Sequence, residues 1–219
     1  MALISHSRGF VFIKVPKTAG TSIEADLAPL MGPEDVVTPI IPTVPGHEPR
    51  NHLDANGKAA FFNHMPAKAI RDRIGAERFA AMTVFCVERE PVEKCISQYH
   101  MLQNSALHNE DGRNTMSWDE YCEVGNFPVS HGLYSEWRDG APRLMADHVL
   151  RYDRLARDLP ALLADLGLPG FRLTSRAKAE YSTRVLVRPQ DVTPRQRRAI
   201  YDAFAQTLAV TGLDWDAPA

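Results

Sequence analysis

The sequence predicts an α/β fold: a single domain, residues 1–219, with a central parallel β-sheet flanked by helices. Three observations carry this expectation. Short apolar runs rich in β-branched and aromatic residues recur at 10–15, 82–87 and 148–152, as buried strands do. Segments of 3.6-residue period follow them, and strand–helix alternation belongs to a sheet covered on both faces. The length suffices to bury a core, and no internal repeat or low-complexity segment interrupts it.

Taken in order, residues 10–15 (FVFIKV) form the first expected strand, interrupted only by Lys14 and closed by Pro16. A small-residue loop follows, and the spacing of Ile23 and Leu27 signals a helix that Pro29, Gly32 and Pro33 end. Residues 33–58 carry five prolines with Gly46 and Gly57, an irregular excursion expected to act as a lid or acceptor-binding loop. Residues 59–63 are a short strand candidate ending at His64, with a helix from Pro66 or Ala67 to about Ile74. After the strand at 82–87, Val92, Cys95, Ile96, Tyr99 and Leu102 share a helical face. Residues 104–114 are polar and read as a loop, and Ser117 with Glu120 is a capping box. Residues 125–143 look irregular, 148–152 is a third strand, and Pro160 is placed in the first turn of the next helix. Thr193, Pro194 and Gln196 open the last helix, whose face holds Ile200, Phe204 and Leu208.

Composition narrows the function. Lys and Arg number 25 against 27 Asp and Glu, a net charge of −2 that argues against a general nucleic-acid binder. The stretch 172–198 is locally more basic, as a solvated surface is. Cys86, Cys95 and Cys122 are odd in number without a CxxC pair, and the first two sit in apolar contexts as reduced core residues. No signal peptide and no membrane-spanning run is evident, so a soluble, cytoplasmic protein is expected. His47, Arg50, His52 and Asp54 fit no standard zinc spacing, and no metal is expected.

Two motifs carry chemistry. The first is Pro16, Lys17, Thr18, Ala19, Gly20, Thr21 and Ser22. A strand feeding a small-residue loop that opens a helix aims backbone N–H groups and a positive dipole end at one point, an anion site most often used for phosphate. Lys17 adds a cation, and Thr21 and Ser22 add hydroxyls. The nucleotide-triphosphatase pattern GxxxxGK[ST] is absent, and an ordinary strand-to-helix turn is the plainer alternative. The second motif runs from Arg89 through Ser97 to Tyr99. Arg89 stands where a buried strand ends, the edge at which α/β ligands bind. Ser97 lies about two helical turns on, with Glu93 and Lys94 keeping that face polar, so that a guanidinium and a hydroxyl can clasp a phosphate. Alternatively Arg89 pairs with Glu88 or Glu90, and Ser97 is merely solvated.

The first motif resembles the 5′-phosphosulfate loop of sulfotransferases, particularly the carbohydrate, family-2-like type. The second, RxPxx[RK]xxSxY with Lys94 at the basic position, resembles their 3′-phosphate motif. Residues 151–155 (RYDRL) and the final helix are similar to that family's C-terminal half but weakly specific. The resemblance implies a sulfotransferase fold akin to that of P-loop nucleotide triphosphatases. It also implies the donor 3′-phosphoadenosine 5′-phosphosulfate and the product 3′,5′-bisphosphoadenosine. Lys17 would neutralise the departing phosphate, residues Thr18, Ala19, Gly20, Thr21 and Ser22 would hold the 5′-phosphate, and Arg89 and Ser97 the 3′-phosphate. His64, between the motifs and expected at the ligand edge of the sheet, is the candidate general base, since histidine titrates near neutrality. A capping or buried structural histidine is the plainer alternative, and His47, His52 and Glu24 are reserves. The implied acceptor is a hydroxyl of a glycan, glycolipid or small glycoside, and the lack of an anchor favours a bacterial-type enzyme. Two rival classes are a small-molecule kinase, which lacks its GK[ST] here, and a non-catalytic nucleotide-binding protein of the same fold.

Overall fold

The computed structural model describes residues 2–177 and 184–216. Residues 178–183 of the basic stretch lie outside them. The backbone divides into two compact units, one of residues 2–88 and 130–177, the other of residues 89–129 and 184–216.

The first unit contains β1 (Ala2–Ser5), β2 (Phe10–Ile13), β3 (Val36–Val37), β4 (Thr83–Glu88) and β7 (His148–Arg151), with a separate pair β5 (Ser135–Arg138) and β6 (Ala141–Leu144). The five form one sheet of order β3-β1-β2-β4-β7. β2, β4 and β7 are parallel, Phe12 standing opposite Phe85 and Cys86 opposite Val149. β1 is antiparallel to β2 and β3 antiparallel to β1, so the sheet is mixed and not the purely parallel one expected. Chain length dictates the difference. Residues 6–9 between β1 and β2 suffice for a hairpin, whereas a parallel return needs a crossover of a dozen residues or more. Asp35 fastens this hairpin, accepting from the Ser5 hydroxyl at 2.9 Å, the Ser7 N–H at 3.0 Å, the Ser7 hydroxyl at 2.8 Å and the Gly32 N–H at 2.7 Å.

Three further expectations change here. Residues 59–63 are not a strand: the N–H groups of Ala60 and Phe61 both bond the His52 carbonyl, which leaves no ladder for a neighbour. The region 125–143 is partly regular, since β5 and β6 pair antiparallel around the Asp139-Gly140 turn. Helix α6 (Leu155–Asp165) begins five residues before Pro160. Leu155, Leu159 and Leu163 are buried at helical spacing, and their burial, about 1.5–3 kcal/mol each, outweighs the backbone bond the proline forfeits.

The main core gathers Leu3, Phe10, Phe12, Phe85 and Val87 of the sheet with Ile23 and Leu27 of α1 (Gly20–Leu27) and the α6 leucines. The Phe12 and Phe85 rings stack with centroids 5.1 Å apart. Helices α2 (Ala67–Ile74) and α3 (Ala76–Ala80) complete this unit.

The second unit is helical: α4 (Pro91–Asn104), α5 (Trp118–Val124) and α7 (Pro194–Thr211). α5 and α7 open on the capping boxes read from Ser117 and Glu120 and from Thr193 and Gln196. Val92, Cys95, Ile96 and Tyr99 pack with Trp118, Tyr121, Ile200 and Phe204 in a core of its own. Among the described residues no helix is long and apolar enough to cross a membrane.

Candidate functional site

β2 ends at Ile13, and Lys14, Val15 and Pro16 lead into a turn where Lys17 and Ala19 both take the left-handed conformation, φ 67° and 62°. Neither residue is glycine, and such positive φ values in side-chain-bearing residues concentrate at functional sites. Ala19 is the N-cap of α1 and offers no side chain to cap it; the first bond of the helix is from the Ile23 N–H to the Ala19 carbonyl. The backbone N–H groups of Gly20, Thr21 and Ser22 therefore find no acceptor among the described residues. No acidic residue occupies the first turn. An uncapped helix start of this kind, with Lys17 two residues before the last left-handed position, can receive an anion.

The side chains of this turn divide their tasks. The Thr18 hydroxyl donates to the Val15 carbonyl at 3.0 Å, so its proton is committed to the turn, and Thr18 can offer an anion only its backbone. The Ser22 hydroxyl oxygen accepts from the Ala177 N–H at 3.1 Å, which leaves its proton to donate. Among the described residues the Thr21 hydroxyl makes no hydrogen bond and is free to turn toward a ligand. Asp26, one turn further along α1, accepts from the N–H groups of Thr174 and Ser175 at 2.6 and 2.8 Å and fixes that segment along the helix. Burial works to raise the Asp26 pKa, but these bonds prevail and hold it below the usual carboxylate value.

His64 joins the same place from a segment fifty residues away. Its Nδ1 lies 2.9 Å from the Lys14 carbonyl oxygen. A carbonyl only accepts, so Nδ1 carries the hydrogen, and in the neutral ring Nε2 holds the basic lone pair. His64 is half-buried in a left-handed turn, φ 57°, not at the end of a strand as expected. The ring is thereby tied to the residue three positions before Lys17.

The reserves are less suited to proton transfer. His47 donates through Nε2 to the Thr38 carbonyl at 2.9 Å, and its Nδ1 is buried. Burial, followed by the nearby positive charges of Lys14 and Arg50, lowers its pKa despite the Thr38 bond. His52 Nδ1 is likewise buried without a hydrogen bond. Glu24 is fully buried and bonded to the Lys14 ammonium at 2.8 Å. The excursion 33–58 that carries the two histidines is anchored at both ends of its middle part. Val37 and Arg50 exchange backbone bonds, and the Arg50 guanidinium reaches the carbonyls of Ala28, Met31 and Gly32.

In the second unit, Arg89 precedes α4 and bonds Glu93 at 3.2 Å. Glu90 instead caps α4, accepting from the Glu93 N–H at 2.7 Å. Glu93 and Ser97 are four residues apart in α4 and share a face, which extends the line from Arg89. Lys94 is not part of a polar face: it is fully buried, its ammonium 5.6 Å from the centre of the Phe204 ring. The helix is wrapped by its own unit's core on that side, so the charge is held by cation–π attraction among its contacts.

Sequence reasoning missed Lys14. Its signal was a charged residue inside an otherwise apolar run, with an opposite charge ten positions later among the apolar positions of the next helix. Among the described residues no cluster of His, Cys, Asp and Glu has the geometry of a metal site.

No protein-family model matches the chain. An uncharacterised protein of Archaeoglobus fulgidus is 27% identical over 106 residues, which cover 48% of this chain and 84% of that protein.

Proposed function

We propose that the protein is a sulfotransferase that moves a sulfuryl group from 3′-phosphoadenosine 5′-phosphosulfate to a hydroxyl of a carbohydrate or glycoconjugate. The observation that carries the reading is the tie of His64 Nδ1 to the Lys14 carbonyl. It orients the imidazole, with Nδ1 donating, beside a turn with three unbonded N–H groups and a lysine. The two sequence motifs add that the anion is a phosphosulfate and not a triphosphate.

In this reading the N–H groups of Gly20, Thr21 and Ser22 and the Thr21 and Ser22 hydroxyls hold the 5′-phosphate. His64 Nε2 takes the proton of the acceptor hydroxyl as its oxygen attacks sulfur. The bond from sulfur to the bridging oxygen breaks, and that oxygen leaves with the phosphate as 3′,5′-bisphosphoadenosine. Lys17 neutralises the charge that builds on it, in the manner of phosphoryl transfer, where positioning and electrostatics supply most of the rate. The 3′-phosphate contact falls to Arg89 and Ser97. A soluble cytoplasmic enzyme is the setting this reading assumes.

A thermal-shift series tests it. 3′,5′-Bisphosphoadenosine at a hundred times its Kd stabilises the folded state by about 2.7 kcal/mol, with ATP and GTP giving little. Equal shifts with all three, or none, overturn the reading. Turnover assays with radiolabelled donor and a panel of glycosides then separate an enzyme from a nucleotide-binding protein.

A further inference from the structure

We propose that Lys14 is a positioning residue that fixes His64 relative to the anion-binding turn. The inference rests on the sulfotransferase reading only for its consequence in catalysis.

Lys14 is attached at three points to two parts of the first unit, helix α1 and the segment of His64. Its ammonium bonds Glu24 of α1 at 2.8 Å, with 6% of Lys14 and none of Glu24 exposed. Its aliphatic stem lies directly under the first residue of that helix: a Cβ added to Gly20 would meet Lys14 Cγ at 2.5 Å, Cε at 3.1 Å and Cδ at 3.2 Å. Its carbonyl holds His64 Nδ1 at 2.9 Å. The helix start that presents N–H groups to an anion and the ring that supplies a base are thus both referred to one residue. Lys17 follows three residues later on the same strand exit, within about 11 Å of chain.

The chemistry of the pair supports a geometric task. Removing an ammonium and a carboxylate from water costs several kcal/mol, and a well-packed apolar pair in their place is often neutral or stabilising. An ion pair, unlike an apolar contact, has direction. It fixes the side-chain torsions of Lys14, and with the stem wedged beneath Gly20 it fixes the backbone from which the carbonyl projects. Catalysis by oriented groups is sensitive to this, since a displacement of about 1 Å costs on the order of a hundredfold.

The decisive measurement is ¹⁵N–¹H NMR of the His64 ring, assigned by its loss in His64→Gln, in the full chain and in Lys14→Met/Glu24→Gln. The double variant keeps side-chain volume and leaves neither charge buried alone. The unmodified protein shows the Nδ1–H tautomer. In the double variant the two ring nitrogens converge in shift as that tautomer loses its dominance. Gly20→Ala serves as the second variant. It presses on the Lys14 stem without removing a charge or touching His64, so the same response is expected even if the double variant does not fold. An Nδ1–H tautomer unchanged in the folded variants overturns the proposal, whatever the activity. In the Lys14→Met/Glu24→Gln variant kcat falls about a hundredfold while the affinity for 3′,5′-bisphosphoadenosine stays within a fewfold; an unchanged kcat also overturns it. Failure of the unmodified protein to bind the nucleotide refutes the functional reading separately, because the ring's response needs no ligand.

Discussion

Gly20→Ala isolates the packing beneath the anion turn. Gly20 does not have a positive φ, so an alanine there meets no backbone penalty, and in a helix it gains about 0.5–1 kcal/mol from the unfolded state. The space is what it lacks. The new methyl would stand 2.5 Å from Lys14 Cγ, against ordinary contact at 3.4 Å and beyond. Lys14 cannot swing away cheaply, because its ammonium is held by the buried Glu24, and breaking a buried pair costs about 3–5 kcal/mol. The cheaper response is that the first turn of α1 and the Lys14 backbone move apart, an overpacking cost of about 1–3 kcal/mol in a closely packed interior. After the alanine gain, a net loss centred on about 1 kcal/mol remains, or roughly 2–4 °C in Tm for a chain of this size. Urea unfolding followed by circular dichroism measures it. Gly132→Ala is the control, since no atom lies within 4 Å of its added Cβ and its φ is not positive, and it should change stability by under about 0.5 kcal/mol. A Gly20→Ala variant as stable as the parent refutes the claim that Lys14 fills that space rigidly.

Lys17→Ala and His64→Ala should each abolish turnover, with Lys17→Ala also weakening the nucleotide; full activity of either, measured with radiolabelled donor, removes that residue from the mechanism. Arg89→Ala should weaken 3′,5′-bisphosphoadenosine binding by about 1.5–3 kcal/mol, the scale of a charge-assisted bond, and isothermal calorimetry giving an unchanged Kd contradicts its role. Asp35 gives a pH prediction. Burial acts to raise its pKa, but bonds from the Ser7 N–H, the Gly32 N–H and the Ser7 and Ser5 hydroxyls outweigh it and hold the carboxyl below its ordinary 3.8. Its stabilising contribution is therefore complete above pH 3.8 and is lost as pH falls through the lower folded-state value. Asp35→Asn should cost about 1–3 kcal/mol at pH 7, with the gap to the parent narrowing as the pH falls below 3.8, and a gap that does not narrow on acidification contradicts the assignment.

The elements that could be read from sequence are those whose physics is local. β2 and β4 are buried on both faces and so write an unbroken apolar run, and α5 and α7 announce themselves by capping boxes. β1 was not readable because four residues, ALIS, have no period, and only its partner defines it. The hairpin β5–β6 did carry an Asp-Gly turn at 139 and 140, the strongest short signal for a hairpin, but its strands do not alternate and Trp137 remains 68% exposed. Residues 59–63 mimicked a strand because Ala60 and Phe61 are buried, yet burial there serves a turn closed on His52.

At the candidate site, several side chains have partners that the sequence did not announce. The left-handed positions are Lys17 and Ala19, and glycine at 20 makes room for a lysine stem. Thr18 offered a hydroxyl that the turn itself consumes, and Lys94 offered a charge that the second unit's core encloses. Such facts depend on partners distant in the chain, which a spacing cannot express. The same holds for the charge balance beneath the turn. Lys14 lies close under the helix start, but the Glu24 carboxylate at 2.8 Å cancels its charge, so its contribution to the potential at the turn is small. The attraction for an anion must then come from Lys17 and the unbonded N–H groups at the start of α1. Anion affinity should accordingly follow substitutions at Lys17 steeply and charge-neutral replacement of the Lys14–Glu24 pair only weakly, while proton transfer at His64 should follow the pair.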